Sequence, residues 1–297
     1  MKTLDTEIRI QVKNVLFLTD FSTAAAAAIP YAAAIAKRFG AKLYALHVRP
    51  PVVNPMTEPS TWPVLERAAE VEAKMEQNTL LNSFPHLNPE VLLEEGDLWS
   101  ALRSVVEKDK IDLIVLGTRG RSGVGKFFMG SKAEEIFRRA PCAVLTVGPC
   151  SHEQPPRGGE FTEILSATDF SSESTAAASY AVSLAQEFQA HLTLLHVVAD
   201  AELQELVHPN ELVKLSEQSL RRLLPLEAEL WCEPHFVVEH GPAAQKILEV
   251  ARQKKADLIV LGVRRPGRFA GAATHLPIAT AHKVVAHAAC PVLTVRG

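Results

Sequence analysis

The sequence lacks the features that mark a membrane-spanning, nucleic-acid-binding or disulfide-stapled protein. Its longest apolar run, residues 24–36, is 13 residues long and contains Pro30, whereas a membrane-spanning helix needs about 20 residues. The 31 basic residues are outnumbered by 34 acidic ones, so the basic excess typical of nucleic-acid binding is missing. We therefore expect neither a membrane nor a nucleic acid as a partner.

Cysteine is also scarce, and its placement is informative. The four cysteines, Cys142, Cys150, Cys232 and Cys290, show no paired metal-ligand spacing, and no secretory apolar segment precedes them. This usage predicts reduced thiols and a cytoplasmic location. In contrast, 297 residues with 47% hydrophobic content are enough for two well-packed domains.

An internal repeat organises the chain. NVLFLTDFS at residues 14–22 returns as EILSATDFS at residues 163–171, and four more pairs follow in the same order: AKLYALHV with AHLTLLHV, LLEEG with VVEHG, DLIVLGTRG with DLIVLGVRR, and APCAVLTV with AACPVLTV. Five matches in register indicate a duplication. We predict domains at residues 1–150 and 160–297, with a boundary near residue 155 in an exposed Pro- and Gly-rich linker, residues 148–161.

Each repeat alternates short Val-, Ile- and Leu-rich runs with longer segments of helical periodicity, which predicts βα units and a parallel sheet. The strands expected in the first repeat are residues 15–19, 42–48, 90–94, 113–116 and 143–147. Their nearly continuous apolar character predicts a sheet covered by helices on both faces. In the first helix, Ser22 or Thr23 is the expected N-cap, Pro30 should kink or interrupt the helix, and Gly40 should end it.

The segment GTRGRSGVGKFFMGS, residues 117–131, follows the fourth predicted strand directly and has the spacing G-x2-G-x9-G-S. Glycines allow close backbone approach to phosphate, and the N–H groups that open the next helix favour anions. Two alternatives exist. The glycines can serve only as turns, and residues 120–126 imitate the start of a P-loop, although Phe127 stands where Ser or Thr would hold magnesium.

Taken together, TDFS after strand one, the LHV ending of strand two and G-x2-G-x9-G-S after strand four resemble the universal stress proteins. The resemblance covers both repeats almost end to end. It implies an α/β fold of the adenine nucleotide alpha hydrolase-like type, with two open five-stranded parallel sheets of order 3-2-1-4-5. Strands one and four are then neighbours, and ligands bind at such switch points outside the strand carboxyl ends.

The resemblance also implies an adenine nucleotide, ATP with or without Mg²⁺, as the ligand of the first repeat. By position, Asp20 and the end of strand one at Thr19 would face ribose and phosphates, and the backbone around Val48 would meet adenine. The loop would supply the other contacts, namely Gly117, Arg119, Gly120, Gly130, Ser131, Lys132 and Ala133. From the residues alone, Asp20 can equally serve a turn at the helix start, and His47 and His196 are expected to make structural hydrogen bonds, not to act in catalysis.

The second repeat departs from this pattern. Gly262 is kept, but Arg265 replaces the second glycine and no Gly-Ser pair opens the last helix, so we expect a degenerate nucleotide site. Arg264, Arg265 and Arg268 can still attract an anion. The spacing of His275, His282 and His287 does not place all three on one helix face, which argues against zinc.

The function predicted on these grounds is nucleotide-dependent regulation of a stress response, with no catalytic residue assigned. Two alternatives stay open: a slow ATPase or autophosphorylating enzyme, for which Asp20 is the single candidate base, and a nucleotide-free protein-interaction scaffold. The apolar terminal strands CAVLTV and CPVLTV are expected to pair between the domains, and unpaired edges make a homodimer a further prediction.

Overall fold

The computed structural model describes residues 10–50, 59–118, 130–148, 157–199, 209–225, 228, 232–264 and 275–296. Ten strands are present, and the first repeat contributes β1 Asn14–Thr19, β2 Lys42–Arg49, β3 Glu90–Glu95, β4 Leu113–Gly117 and β5 Ala143–Val147. The second contributes β6 Glu163–Thr168, β7 His191–Val198, β8 Pro234–His240, β9 Leu258–Gly262 and β10 Val292–Val295. The five strands predicted for the first repeat therefore all form, within one or two residues of the expected bounds.

The helices of the described part fall into two sets of similar placement. The first repeat has α1 Thr23–Ala26, α2 Ile29–Phe39, α3 Trp62–Ser83, α4 Leu98–Lys108 and α5 Ser131–Arg139. The second has α6 Ser172–Phe188, α7 Pro209–Arg221, α8 Ala243–Gln253 and α9 His275–His287. No helix in these described ranges is long and apolar enough to cross a membrane.

The strands form one sheet of order β3-β2-β1-β4-β5-β10-β9-β6-β7-β8. Each half has the predicted order 3-2-1-4-5, and all pairs within a half are parallel. The halves join where β5 and β10 pair antiparallel, with Leu293 opposite Leu145. The expected pairing of the terminal strands between the domains is confirmed. It leaves β3 and β8 at the two outer edges of the sheet, and a homodimer through unpaired edges stays a prediction.

Side chains of alternate strand residues enter two separate cores, one on each face of the sheet. Val15 and Phe17 of β1 join the core beneath α2, α3, α6 and α7, whereas Leu16 and Leu18 join the core beneath α4, α5, α8 and α9. Residues 15–19 of β1 are all buried, because helices cover both faces. The predicted three-layer α/β architecture is confirmed.

The first helical segment of each repeat shows the expected effect of proline. In the first repeat the helix is broken into α1 and α2, with Pro30 in the opening turn of α2, where its missing N–H and fixed φ are tolerated. The second repeat has Ser179 at this position, and α6 runs unbroken over 17 residues. Gly40 ends α2 at φ 60°, in the left-handed conformation predicted for it.

The linker is less exposed than predicted. Its residues 149–156, including the expected boundary near residue 155, lie outside the described residues, but its end is buried: Phe161 is only 1% exposed. The Phe161 ring stacks on Tyr31, with centroids 5.9 Å apart, and meets Phe188 edge-on at 5.1 Å. The prediction of an exposed linker up to residue 161 was therefore wrong at its end, because an aromatic residue there fills the core between α2 and α6.

Candidate functional site

The carboxyl ends of β1 and β4 lie side by side, since Leu18 is opposite Leu116 in the parallel register. The chain leaves β1 toward β2 on one side and β4 toward β5 on the other. Asp20 follows β1 immediately, and Gly117 is the last residue of β4. The structure thus brings Thr19, Asp20 and Gly117 together at a topological switch point, the place where open α/β sheets bind ligands.

A tight turn holds Asp20 at this edge. The backbone N–H of Phe21 donates to Thr19 Oγ1 at 2.9 Å, and the N–H of Ser22 donates to Asp20 Oδ1 at 3.0 Å. Phe21 takes a left-handed φ of 58°, which these local hydrogen bonds stabilise. The helix cap itself is Ser22, whose Oγ accepts from the N–H of Ala25 at 3.1 Å, so Asp20 orders the turn and is not the cap.

Gly117 is a glycine for a packing reason. A Cβ atom at this position would lie 2.3 Å from the carbonyl oxygen of Ala24 and 2.8 Å from the nitrogen of Ala25. The start of α1 therefore crosses directly over the end of β4. Gly262 has the same environment, with Ser174 N only 2.4 Å from a Cβ. Glycine at these two positions is required by the fold in both repeats, whatever ligand is bound.

The start of α5 lies beside the same strand ends. The N–H of Gly130 donates to the carbonyl oxygen of Thr118 at 2.7 Å, and the N–H of Thr118 donates to Val147 O at 3.0 Å. The Gly130 amide, predicted to face phosphate, is thus already used within the protein. Gly130 has φ −60° and ψ 145°, and no described side chain caps α5, so the next amides, of Ser131, Lys132 and Ala133, open the helix.

Of the remaining predicted site residues, the structure describes some and not others. Val48 lies near the end of β2, half-buried and opposite Glu94 of β3. Lys132 is exposed, whereas Ala133 is 7% exposed and packs into the core beneath α5. Arg119, Gly120 and the rest of the loop through residue 129 lie outside the described residues, as does the side chain of Ser131.

His47 connects β2 to the Asp20 turn. Its Nδ1 lies 2.8 Å from the carbonyl oxygen of Thr19, and its ring meets that of Phe21 with centroids 4.7 Å apart. His196 repeats both contacts, with Nδ1 2.9 Å from Thr168 O and a ring contact to Phe170. Both histidines make the structural hydrogen bond that was expected of them.

The sequence reasoning missed an ion cluster behind His47. Glu76 of α3 places Oε1 3.6 Å from His47 Nε2 and Oε2 3.9 Å from Arg49 Nε. Arg49 also donates to Glu95 Oε1 of β3 and to the carbonyl oxygen of Ala69 in α3, both at 3.2 Å. The available signal was the helical spacing of α3, which puts Glu76 on the same face as buried Leu80.

The corresponding turn of the second repeat has one additional hydroxyl group, that of Ser174. Asp169 Oδ1 accepts from both the N–H of Ser171, at 3.1 Å, and its hydroxyl, at 2.5 Å. Thr168 Oγ1 and Ser174 Oγ are 2.9 Å apart, and Ser174 stands where the first repeat has Ala25. Burial acts to raise the pKa of Asp169, but the hydrogen bonds from Ser171 and Ser174 outweigh it and hold the pKa below its usual value.

The last helix of the second repeat also begins differently. When the repeats are aligned on APCAVLTV and AACPVLTV, Ala140 corresponds to Ala288. Ten residues earlier in each repeat, Gly130 corresponds to Ile278, which lies inside α9. That helix starts at His275, one turn earlier than α5 does in the first repeat. Arg265 and Arg268 lie outside the described residues. Within the described ranges, no group of three or more His, Cys, Asp or Glu side chains is placed to hold a metal ion.

Comparison with known proteins extends the similarity to the whole chain. The sequence model of the universal stress protein family matches residues 11–148 and 160–296. A universal stress protein of Thermus aquaticus is 35% identical over 136 residues, which are 46% of this chain and 98% of that protein. One of Methanocaldococcus jannaschii is 31% identical over 139 residues, covering 46% of this chain and 81% of that protein.

Two crystal structures share the fold over nearly the full length. A universal stress protein from Archaeoglobus fulgidus superposes with a TM-score of 0.71 at 19% identity, covering 97% of this chain and 99% of that one. A putative universal stress protein from Pseudomonas aeruginosa gives 0.64 at 18% identity, covering 96% and 93%. At these identities the likeness concerns the fold alone.

Proposed function

Since the chain belongs to the universal stress protein family, we propose that its first repeat binds an adenine nucleotide, ATP in the first instance. We propose further that the bound nucleotide regulates a stress response through the conformation of the chain. The second repeat is proposed to have lost this site and to serve as the structural partner of the first.

One observation carries the proposal: the Asp20 turn and the start of α5, which no described side chain caps, lie at the ends of two adjacent strands, β1 and β4. A carboxylate and a set of helix-opening amides at neighbouring strand ends suit a ligand that carries hydroxyl groups at one end and phosphates at the other. Carboxylate oxygens accept hydrogen bonds from ribose hydroxyls, and the amides and dipole of a helix N-terminus favour phosphate.

The proposed roles follow from this placement. Thr19 and Asp20 would face the ribose and phosphates, and the backbone near Val48 would meet the base. Gly117 allows α1 to pass close to β4, so its role is to shape the site. The amides of Ser131, Lys132 and Ala133 would bind phosphate oxygens, with the Lys132 ammonium group nearby. Mg²⁺ would accompany the phosphates as part of the ligand.

The proposed asymmetry rests on two differences between the repeats. In the second repeat, Ser174 adds a hydroxyl where the first repeat has Ala25, and its hydrogen bond helps to lower the pKa of Asp169, so a ribose would have to compete with this hydroxyl. The position of Gly130 is also taken by Ile278, within a helix that starts one turn earlier.

The first test asks whether the purified protein carries a nucleotide. The protein is denatured, and the released small molecules are identified by chromatography and mass spectrometry. We expect an adenine nucleotide at no more than one equivalent per chain. If none is released, and calorimetry with added ATP and Mg²⁺ detects no binding, the protein-interaction scaffold becomes the better interpretation.

A second test addresses the start of α5. Gly130 has backbone angles that valine adopts readily, so Gly130→Val should fold, at a cost of about 1 kcal/mol for a poor N-cap residue. Its side chain should block the following amides and abolish ATP binding in calorimetry. The counterpart of Gly130 in the second repeat is already a branched residue, Ile278, so the control is Ala279→Val, one residue later, which should leave binding intact. Full binding by the Gly130→Val protein would exclude α5 as the phosphate site.

A further inference from the structure

The ion cluster behind His47 occupies an unusual place for charge. Glu76 lies on the inward face of α3 and its side chain is only 14% exposed, as is that of Arg49. Burying a carboxylate is costly unless charges and hydrogen bonds compensate it. At 3.6 and 3.9 Å, the contacts of Glu76 with His47 and Arg49 are ion pairs too long to be hydrogen bonds. The cluster therefore links α3 to the sheet through these charged contacts and through the hydrogen bond from Arg49 to Ala69 O.

His47 connects Glu76 to the proposed site. One ring nitrogen, Nε2, faces Glu76, and the other, Nδ1, reaches the carbonyl oxygen of Thr19. The ring also packs against Phe21. His47 thus contacts the residues on both sides of Asp20. Because a carbonyl oxygen can only accept a hydrogen bond, Nδ1 donates to Thr19 O, and the ring is held between Glu76 on one side and the Asp20 turn on the other.

The second repeat provides a natural comparison. His196 makes the same contacts with Thr168 and Phe170, but Val198 stands in the place of Arg49. None of the ion pairs found among the described residues includes His196. Among the described residues, the charged layer behind the histidine is therefore found in the repeat for which nucleotide binding is proposed and not in the other.

We propose that Glu76 is a positioning residue for the nucleotide site. Through His47 it fixes the Asp20 turn, and it couples that turn to the packing of α3 against the sheet. The consequence for affinity rests on the function proposed above. The effect on the turn itself does not, so the two can be tested separately.

The first experiment measures backbone amide hydrogen exchange by NMR without nucleotide. The reporters are the N–H groups of Phe21 and Ser22, which donate to Thr19 Oγ1 and Asp20 Oδ1. Glu76→Gln keeps the size of the side chain and removes its charge, and we expect about fivefold faster exchange at both amides, in the range of couplings through packed networks. The amides of Phe170 and Ser171 in the second repeat should not change.

Two further variants separate positioning from general packing. Glu95→Gln removes the other carboxylate that contacts Arg49, but not a contact of His47, so exchange at the turn should stay as in the unaltered protein. His47→Asn keeps a side-chain N–H near Thr19 O and removes the ring nitrogen that faces Glu76. If Glu76 acts through His47, adding Glu76→Gln to His47→Asn should produce no further increase.

The second experiment measures ATP affinity by calorimetry, where we expect about fivefold weaker binding by Glu76→Gln and no change in Glu95→Gln. Faster exchange at Phe21 and Ser22 together with weaker binding supports the proposal. Faster exchange in a protein that binds no nucleotide supports the coupling and refutes the proposed function. Unchanged exchange at both amides in Glu76→Gln overturns the positioning role, whatever the affinity.

Discussion

Replacement of Gly117 by alanine tests whether the end of β4 is shaped by packing against α1. The added Cβ would lie 2.3 Å from Ala24 O, 2.5 Å from Ala24 C and 2.8 Å from Ala25 N, whereas optimal non-bonded contacts between carbon atoms lie at about 3.5–4.0 Å. The helix start or the strand end must move by about 1 Å. Overpacking a tight core costs about 1–3 kcal/mol, and contacts with rigid backbone place Gly117→Ala near 3 kcal/mol.

The assay is urea and thermal unfolding followed by circular dichroism, where a loss of about 3 kcal/mol lowers Tm by roughly 6 °C. Gly262→Ala should cost the same, because its Cβ would meet Ser174 N at 2.4 Å. Gly40→Ala is the control: nothing lies within 4 Å, and only its left-handed φ of 60° is unfavourable, at about 1 kcal/mol. If both strand-end variants are no less stable than Gly40→Ala, the packing explanation is wrong.

Two further predictions concern the second repeat and the linker. Because the pKa of Asp169 is lowered by Ser171 and Ser174 against the effect of burial, its hydrogen bonds stabilise the fold above the unfolded carboxyl pKa, and this contribution is lost as the pH falls through the folded pKa. Ser171→Ala should raise the pKa of Asp169 in an NMR titration and cost about 1 kcal/mol at pH 7, with the deficit shrinking in acid; an unchanged pKa would contradict the network. Phe161→Ala should cost about 3–5 kcal/mol in urea unfolding, because the ring is buried between Tyr31 and Phe188; a loss below 1 kcal/mol would restore the exposed-linker interpretation.

The repeat and the strands could be predicted from the sequence because their signals are local. Strands buried on both faces must be apolar throughout, so residues 15–19 and 143–147 stand out without any knowledge of their neighbours. Turn and cap chemistry is equally local, as Ser22 and Gly40 show. The switch point followed from the strand order that the family resemblance implied.

The details of the candidate site depend on contacts between distant segments, and the sequence did not reveal them. Glycine spacing suggested phosphate contact for both Gly117 and Gly130, yet Gly117 is fixed by the approach of α1, and the Gly130 amide is taken by Thr118 O. The pairing of Glu76 with His47 joins residues of a helix and a strand whose facing sides become known only from the packing. Phe161 was assigned to a linker because the segment before it is rich in Pro and Gly, and its partners lie in two different helices.

The stoichiometry of nucleotide binding tests the central claim most directly. Native mass spectrometry and calorimetry with ATP and Mg²⁺ are applied to the unaltered chain and to the matched variants Asp20→Asn and Asp169→Asn, each of which keeps a side-chain oxygen for its turn. We predict one nucleotide per chain, at least tenfold weaker binding by Asp20→Asn, as expected for loss of a hydrogen bond to a charged group, and unchanged binding by Asp169→Asn. Two equivalent sites, or binding that is lost with Asp169→Asn and kept with Asp20→Asn, would contradict the assignment of the nucleotide to the first repeat.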